Sequence, residues 1–472
     1  NFEIQNFSNI LRRDMYRSKT NTKMYFNSGQ LSLLSEIEQY QRVFISAPTS
    51  FGKTSLILEY IAMNSNKFKN ILFIVPTNAL VEELYIKFLN LNKANKLGYN
   101  VLTIPRKNDN RNIWILTPEK FLLLIEGNIS NFDLIIMDES YKIENEKHIN
   151  KKDILNTRSS KYRKTMEYIA NSAAKSIFLS PYTYLRNPSM RRFLEKYNIK
   201  SLDRRYNYVE KKVVDISNQT KHRQYFNDKN VSYKSSLSGV KKALATIPYL
   251  NDSTIIYIRY PNESTEIISS IESNHMNKIN SDERFKKFYN HLINNYLFDD
   301  SKWYVIDALK KGIGIYVSPI PRYIKKEIVN LFNNNMINIL IVTTAFAEGV
   351  NSTAKNIVIT NRTAGSNNKL TNLDILNLGG RAGRFGVHSK GYIFTAVEEV
   401  ANVLTESSEV GVKIENPNYE IIKDHESRTD YEIDMIDDDI LSKSEKDIKL
   451  NTNVFKSELL LSDDDLNVAL GI

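Results

Sequence analysis

The segment Ala47-Pro-Thr-Ser-Phe-Gly-Lys-Thr54 constrains this chain more than any other, because an apolar run, Arg42-Val-Phe-Ile-Ser46, precedes it and a helical pattern, Ser55-Leu-Ile-Leu-Glu-Tyr-Ile-Ala62, follows. Strand, turn and helix N-terminus in that order present backbone N–H groups and the positive end of a helix dipole to an anion. Gly52 lets the backbone approach closely, Lys53 brings an ammonium to the β- and γ-phosphates of a nucleoside triphosphate, and Thr54 brings a hydroxyl to Mg²⁺. Ala47, Pro48, Thr49, Ser50, Gly52, Lys53 and Thr54 are therefore the expected ATP-binding loop, with Ala47 standing where the stricter pattern has its first glycine. Lys53 is expected to face solvent and to carry no core packing.

A phosphate loop by itself also suits a small-molecule kinase, and two further segments narrow the choice. Asp133-Leu-Ile-Ile-Met-Asp-Glu139 is an apolar strand ending in two carboxylates, a form that places Asp138 on Mg²⁺ and Glu139 beside an attacking water. Gly380-Arg-Ala-Gly-Arg384 puts Arg381 and Arg384 in a glycine-supported turn suited to neutralising charge on a transferring phosphoryl group.

At 472 residues the chain exceeds what one hydrophobic core holds, and 42% apolar with 25% charged residues is the balance of a soluble globular protein. No apolar run approaches the ~20 residues that span a bilayer, so no membrane association and a cytoplasmic location are expected. With no initiating Met, the numbering is expected to start inside a longer product. The absence of cysteine excludes disulfides, thiolate zinc sites and cysteine nucleophiles within this sequence, and the six His residues show no metal-ligand spacing. A formal charge of +10 favours a polyanionic partner, although Lys- and Asn-rich usage also fits a biased genome.

Short β-type runs alternate with amphipathic helices from about residue 30 to 395, which predicts an α/β chain with parallel sheets. The alternation happens twice. Strands are expected near Val43–Ser46, Ile71–Val75, Ile113–Leu116, Leu134–Met137 and Ser176–Leu179, then near Thr254–Ile258, Gly314–Val317, Asn338–Val342, Asn356–Ile359 and Gly391–Phe394. The expected division is an N-terminal extension 1–24, a first domain 25–205 that binds ATP, a second domain 206–410, and an acidic C-terminal segment 411–472. Residues 183–235 carry Arg191-Arg192, Arg204-Arg205 and Lys211-Lys212, and read either as a solvated connector or as a nucleic-acid-facing surface. The last segment carries Asp437-Asp-Asp439 and Asp463-Asp-Asp465, the composition of a disordered tail or an interaction segment.

Further segments fall at strand-to-helix turns. Gln30 precedes the loop by a helix and a strand, and is either a donor to an adenine edge or a plain surface glutamine. Val75-Pro-Thr-Asn-Ala-Leu-Val-Glu-Glu-Leu84 and Leu116-Thr-Pro-Glu-Lys-Phe121 offer hydroxyls and helix amides to a phosphate backbone, which makes Pro76, Thr77, Asn78, Thr117 and Pro118 candidates for nucleic-acid contact. Thr343-Thr-Ala-Phe-Ala-Glu-Gly-Val-Asn351 follows a strand of the second set and leads towards Arg381.

This ordered set resembles the superfamily 2 helicases of the DExH type, most closely the Ski-like and archaeal repair-helicase branch, over roughly residues 25–400. Ser318-Pro-Ile-Pro-Arg322, leading into the helix Tyr323–Asn333, is a landmark of that family. The resemblance implies two tandem RecA-like P-loop domains, ATP and Mg²⁺ as ligands, and 3′-to-5′ movement on one strand of DNA or RNA or at a strand–duplex junction. It also places Gly349 and Asn377 among the ATP-binding residues, and Arg322, Thr343 and Thr344 among the nucleic-acid-binding ones. Departures stand at Tyr141, where the family has His, at Ser180-Pro-Tyr182, where it has Ser-Ala-Thr, at Tyr316-Val317, where paired histidines are common, and at Asn377, where it has Gln. Residues for ATP binding and hydrolysis are kept, while those coupling hydrolysis to movement are altered. The alternatives are a remodeller moving on duplex, or an ATP-switched nucleic-acid sensor that signals to a partner effector such as a nuclease. Antiphage-defence helicases of the Hachiman type, whose loops look like Pro-Thr-Ser-Phe-Gly-Lys-Thr, fit the last of these.

Overall fold

Each of the two alternating sets closes into its own parallel sheet, and the chain divides into two compact units. The computed structural model describes residues between 16 and 405, except 19–24, 49–50, 107–109, 128–130, 144–157, 182–187, 205–208, 218–224, 227–228, 231–238, 247–251, 297–302, 348–351, 353, 365–367, 384–387 and 389. The expected extension is thus described only at Tyr16–Ser18, and the acidic segment 411–472 lies outside the described residues.

In the first unit the order is α1 (Ser28–Gln39), β1 (Arg42–Ser46), α2 (Lys53–Met63), β2 (Asn70–Ile74), α3 (Asn78–Asn95), β3 (Asn100–Leu102), β4 (Asn112–Leu116), α4 (Pro118–Glu126), β5 (Leu134–Met137), α5 (Arg158–Asn171), β6 (Lys175–Ser180), α6 (Pro188–Lys196) and β7 (Lys200–Asp203). Among the described residues seven strands pair in the order β3-β4-β2-β5-β6-β1-β7, all parallel. The inner strands are apolar on both faces; every residue of β4 and β5 is buried, as helices covering both sides of a parallel sheet require. Below them Trp114 packs edge-on against Phe132 at 5.6 Å, in a core shared with Phe121 and Tyr162. Ser18 Oγ donates to Glu59 Oε2 at 2.7 Å and ties the N-terminal segment to α2.

The second unit runs β8 (Glu210–Asp215), α7 (Gly239–Thr246), β9 (Thr254–Tyr257), α8 (Glu263–Ser270), α9 (Met276–Ser281), α10 (Glu283–Tyr296), α11 (Tyr304–Lys310), β10 (Ile313–Tyr316), α12 (Arg322–Asn333), β11 (Ile339–Val342), α13 (Thr344–Ala347), β12 (Asn356–Ile359), α14 (Asn372–Gly380), β13 (Lys390–Thr395) and α15 (Glu398–Thr405). Six of its described strands form the main sheet, again all parallel, in the order β10-β11-β9-β12-β13-β8. Two short antiparallel pairs, Tyr225–Phe226 with Lys229–Asn230 and Thr363–Ala364 with Asn368–Lys369, lie outside it.

Two features differ from the periodicity. The structure adds β3 and β7 at the two edges of the first sheet and β8 at an edge of the second. The basic stretch 183–235 is therefore no mere connector, since it supplies α6, β7 and β8. In β7 only Leu202 is buried and in β8 only Val214, so edge strands facing solvent read like polar surface. Among the described residues no helix is long and apolar enough to cross a membrane.

Candidate active site and nucleic-acid interface

Parallel pairing brings the carboxyl ends of the strands to one edge of each sheet, the edge where open α/β sheets bind ligands. β1 delivers the chain there. The Phe51 N–H donates to Pro48 O at 3.0 Å, its ring is buried, and Gly52 takes φ +83°, a left-handed conformation that glycine adopts without strain. Lys53 opens α2, and its Nζ donates to Ala47 O at 2.6 Å and Pro48 O at 3.2 Å. The lysine is thus folded back across the loop and only 8% exposed, not the solvent-facing residue that the sequence suggests. The first turn of α2 holds no acidic residue, so no carboxylate of that turn neutralises the helix end, and Thr54 sits half-buried beside it. A buried ammonium, a left-handed glycine and a bare helix end fit a polyphosphate. Thr49 and Ser50 lie outside the described residues.

Gln30 is 4% exposed, which removes the surface-glutamine reading. Its Oε1 accepts from the Asn27 N–H at 3.0 Å while its own N–H donates to Asn27 Oδ1 at 2.8 Å, a capping box that starts α1.

At the end of β5 the Asp138 N–H donates to Ile74 O at 2.9 Å and extends the ladder one residue past the strand. The Asp138 carboxylate then accepts the Glu139 N–H at 2.9 Å, and Glu139 takes φ +51°, a conformation uncommon outside glycine and concentrated at functional sites. Ser140 is fully buried and donates to Met137 O at 2.9 Å, opening a 3₁₀ turn, Ser140–Ile143, that carries Tyr141. Only β6 separates β5 from β1, and Met137 pairs with Phe178 while Ser46 pairs with Ser180, so the acids and the phosphate loop leave the sheet at nearly the same level, about 10 Å apart laterally.

In the second unit a capping box, Thr371 with Asp374, starts α14. Asn377 on that helix is 6% exposed, and its Oδ1 has no hydrogen-bond donor among the described residues. Arg381 follows the helix with its guanidinium turned onto its own unit: Nη1 donates to Ser352 O and Nη2 to Phe346 O, both at 3.3 Å, and the group lies 4.8 Å from the Phe346 ring centre. Arg384 and Gly349 lie outside the described residues.

The candidate nucleic-acid residues gather at ends of adjacent strands. In the first unit Pro76, Thr77 and Asn78 follow β2, and Thr117 and Pro118 follow its neighbour β4. Thr77 Oγ1 accepts from the Leu80 N–H at 3.3 Å, which leaves the hydroxyl's proton to donate, while Asn78 is exposed. In the second unit exposed Arg322 starts α12 after β10, and Thr343 and Thr344 follow the neighbouring β11. Burial and then the nearby Arg322 charge hold Lys325, one turn on, below the usual lysine range.

A glycine-bearing phosphate loop after one strand of a parallel sheet and paired carboxylates after another define a P-loop nucleoside triphosphatase domain, here followed by a second RecA-like sheet. Residues 27–180 match the DEAD/DEAH box helicase family, and the chain carries that family's domain. It is similar to Anti-bacteriophage protein B of Escherichia coli (strain K12), 26% identical over 403 residues that cover 82% of this chain and 49% of that protein. It is also similar to the ATP-dependent DNA helicase MER3 of Saccharomyces cerevisiae, 26% identical over 78% of this chain and 31% of the helicase. The Exosome RNA helicase MTR4 of Mus musculus is 31% identical over 25% of this chain and 12% of its own length. The chain spans about half the length of the first of these relatives and less of the others.

Proposed function

We propose that the chain is an ATPase stimulated by nucleic acid, which uses hydrolysis to move 3′ to 5′ along a strand of DNA or RNA. The observation that supports it most is that the loop carrying Lys53 follows β1 and the pair Asp138–Glu139 follows β5, two strands separated by one whose carboxyl ends share an edge of a single parallel sheet. Lys53 exchanges its loop carbonyls for the β/γ-phosphates. Thr54 and Asp138 hold Mg²⁺, which supplies neutralisation of phosphate charge. Glu139 accepts a proton from the attacking water, and Arg384 stabilises the charge that develops on the transferred group; Arg381 contributes by fixing the turn from which Arg384 departs. Gln30, Gly349 and Asn377 complete the nucleotide contacts. Pro76, Thr77, Asn78, Thr117, Pro118, Arg322, Thr343 and Thr344 take the phosphate backbone. A cytoplasmic site of action accords with this activity.

A second reading rests on the similarity to Anti-bacteriophage protein B over most of the chain. In it the same ATPase serves as a nucleic-acid sensor in antiviral defence and signals to a partner effector, with little strand separation. Pro181, buried after Ser180 where the family has Ala, supports it by altering the segment that couples hydrolysis to movement. ATPase rates with single-stranded DNA, duplex DNA and RNA, run beside a strand-displacement assay, test both. Stimulation with 3′-to-5′ displacement supports the translocase, stimulation without displacement supports the sensor, and no ATP turnover refutes both.

A further inference from the structure

The arginine turn lies on a glycine. A Cβ added to Gly391 in β13 would stand 2.5 Å from the Ala382 carbonyl carbon and 2.6 Å from the Gly383 nitrogen, so the backbone of the turn rests directly on the strand. One strand further out, Lys211 of β8 is in register with Gly391. No side chain rises from Gly391 to block it, and Lys211 reaches past to donate from Nζ to the Gly380 carbonyl at 3.1 Å. Gly380 ends α14, its carbonyl is among the last four that an α-helix leaves without an internal partner, and the next residue is Arg381.

We propose that Lys211 is a positioning residue for the arginine turn, anchoring the Gly380 carbonyl to the edge strand so that the turn Arg381–Gly383 leaves α14 from a fixed point. The proposal rests on the ATPase reading above. Other bonds hold the same turn from its far side, where the Gly383 N–H donates to Ala354 O at 2.7 Å and the Ala354 N–H donates to Arg381 O at 3.1 Å. Lys211 supplies the hold at the helix end, where a cation also opposes the negative end of the dipole.

Stability alone does not account for an ammonium at this place. The charged groups on the elements that meet here are Glu210, Lys212 and Asp215 on β8, Lys390 on β13, Asp374 on α14, Glu398 and Glu399 on α15, and Arg381 on the turn. Of the acids, Glu210 pairs with Lys390 at 3.1 Å. Burial pushes the Lys211 ammonium down to about 8. A folded value below that of the unfolded chain means that the unfolded chain binds more protons between pH 8 and the ordinary lysine range, so stability rises with pH across that window. At neutral pH the charged lysine therefore lowers stability. The ammonium is thus held at a cost in solvation, and what it gains there is its bond to the turn that carries Arg381.

The test uses the full 472-residue chain with ATP and saturating single-stranded nucleic acid. Lys211→Met should lower kcat roughly 10–100-fold, the scale of an ångström-level misplacement, with KM for ATP and the affinity for a fluorescent ATP analogue within about twofold. Its melting temperature at pH 7 should stay level or rise. Lys211→Arg, which restores a cation at the helix end, should recover most of the turnover. The proposal is overturned if Lys211→Met keeps the wild-type kcat, if turnover and melting temperature fall together, or if Lys211→Arg is as impaired as Lys211→Met. Absence of turnover in the wild-type chain would instead remove the ATPase reading beneath it.

Discussion

Lys53 donates its ammonium to the carbonyl oxygen of Ala47 at 2.6 Å, across the loop that joins β1 to α2. The bond satisfies a buried cation inside the loop, and a phosphate oxygen is a stronger acceptor for the same ammonium. Replacing Lys53 with Met keeps the apolar stem and removes the charge. ATP turnover should vanish, and the loss of charge-assisted bonds should cost about 1.5–3 kcal/mol, read as a fall of several degrees in thermal melting. Retention of most of the wild-type turnover would refute the phosphate-loop assignment.

Glu139→Gln keeps side-chain shape and removes the base. Turnover should fall roughly 10²–10⁴-fold while nucleotide affinity holds. Glu139→Gly should be equally inactive yet nearly neutral in stability, because glycine takes φ +51° without steric cost and this offsets its greater freedom in the unfolded chain. Steady-state kinetics and thermal melting on the pair check this; normal hydrolysis by Glu139→Gln would show that another group accepts the proton.

Asn377 buries an amide oxygen for which the described residues offer no donor. An apolar side chain of similar size should leave the second unit as stable or more so, since an unsatisfied buried acceptor carries a desolvation cost of about 1–3 kcal/mol. Asn377→Leu is thus expected to hold or raise the melting temperature while weakening the stimulation of ATP hydrolysis by nucleic acid. A clear loss of stability would mean that the amide serves packing and not ligand contact.

Arg322 is exposed at the start of α12, ahead of Lys325 and Lys326, with no acid in the first turn. Arg322→Ala should weaken nucleic-acid binding to a similar degree for every sequence tested and reduce the slope of log affinity against log salt by about 1, as expected for one lost phosphate contact. Basal ATP turnover should not change. Fluorescence anisotropy across a salt series measures it, and an unchanged slope would place the phosphate backbone elsewhere.

Much of the fold was legible locally. The inner strands, such as Leu134–Met137 and Ile339–Val342, are unbroken apolar runs because helices cover both faces of a parallel sheet, and that pattern survives in sequence. The edge strands β3, β7 and β8 were not legible, because β3 is only three partly buried residues long and in β7 and β8 a single residue is buried while lysines interrupt the pattern. An isolated glycine in a strand, Gly391, was the available signal for the turn packed on it.

The sequence by itself determined the chemistry on offer: a loop with Gly52, Lys53 and Thr54, a strand ending in Asp138 and Glu139, and arginines in a glycine turn, each a contiguous segment whose local geometry follows from its own residues. Tertiary structure alone decided how those groups are held. It folded Lys53 back onto its loop, committed Gln30 Oε1 to a helix cap, turned Arg381 onto the carbonyls of Phe346 and Ser352, and brought Lys211 to Gly380 from 169 residues away. Residue type and spacing encode an element and its reactive groups, whereas the partner of a buried ammonium or guanidinium depends on which distant carbonyls the sheet order places within hydrogen-bond reach.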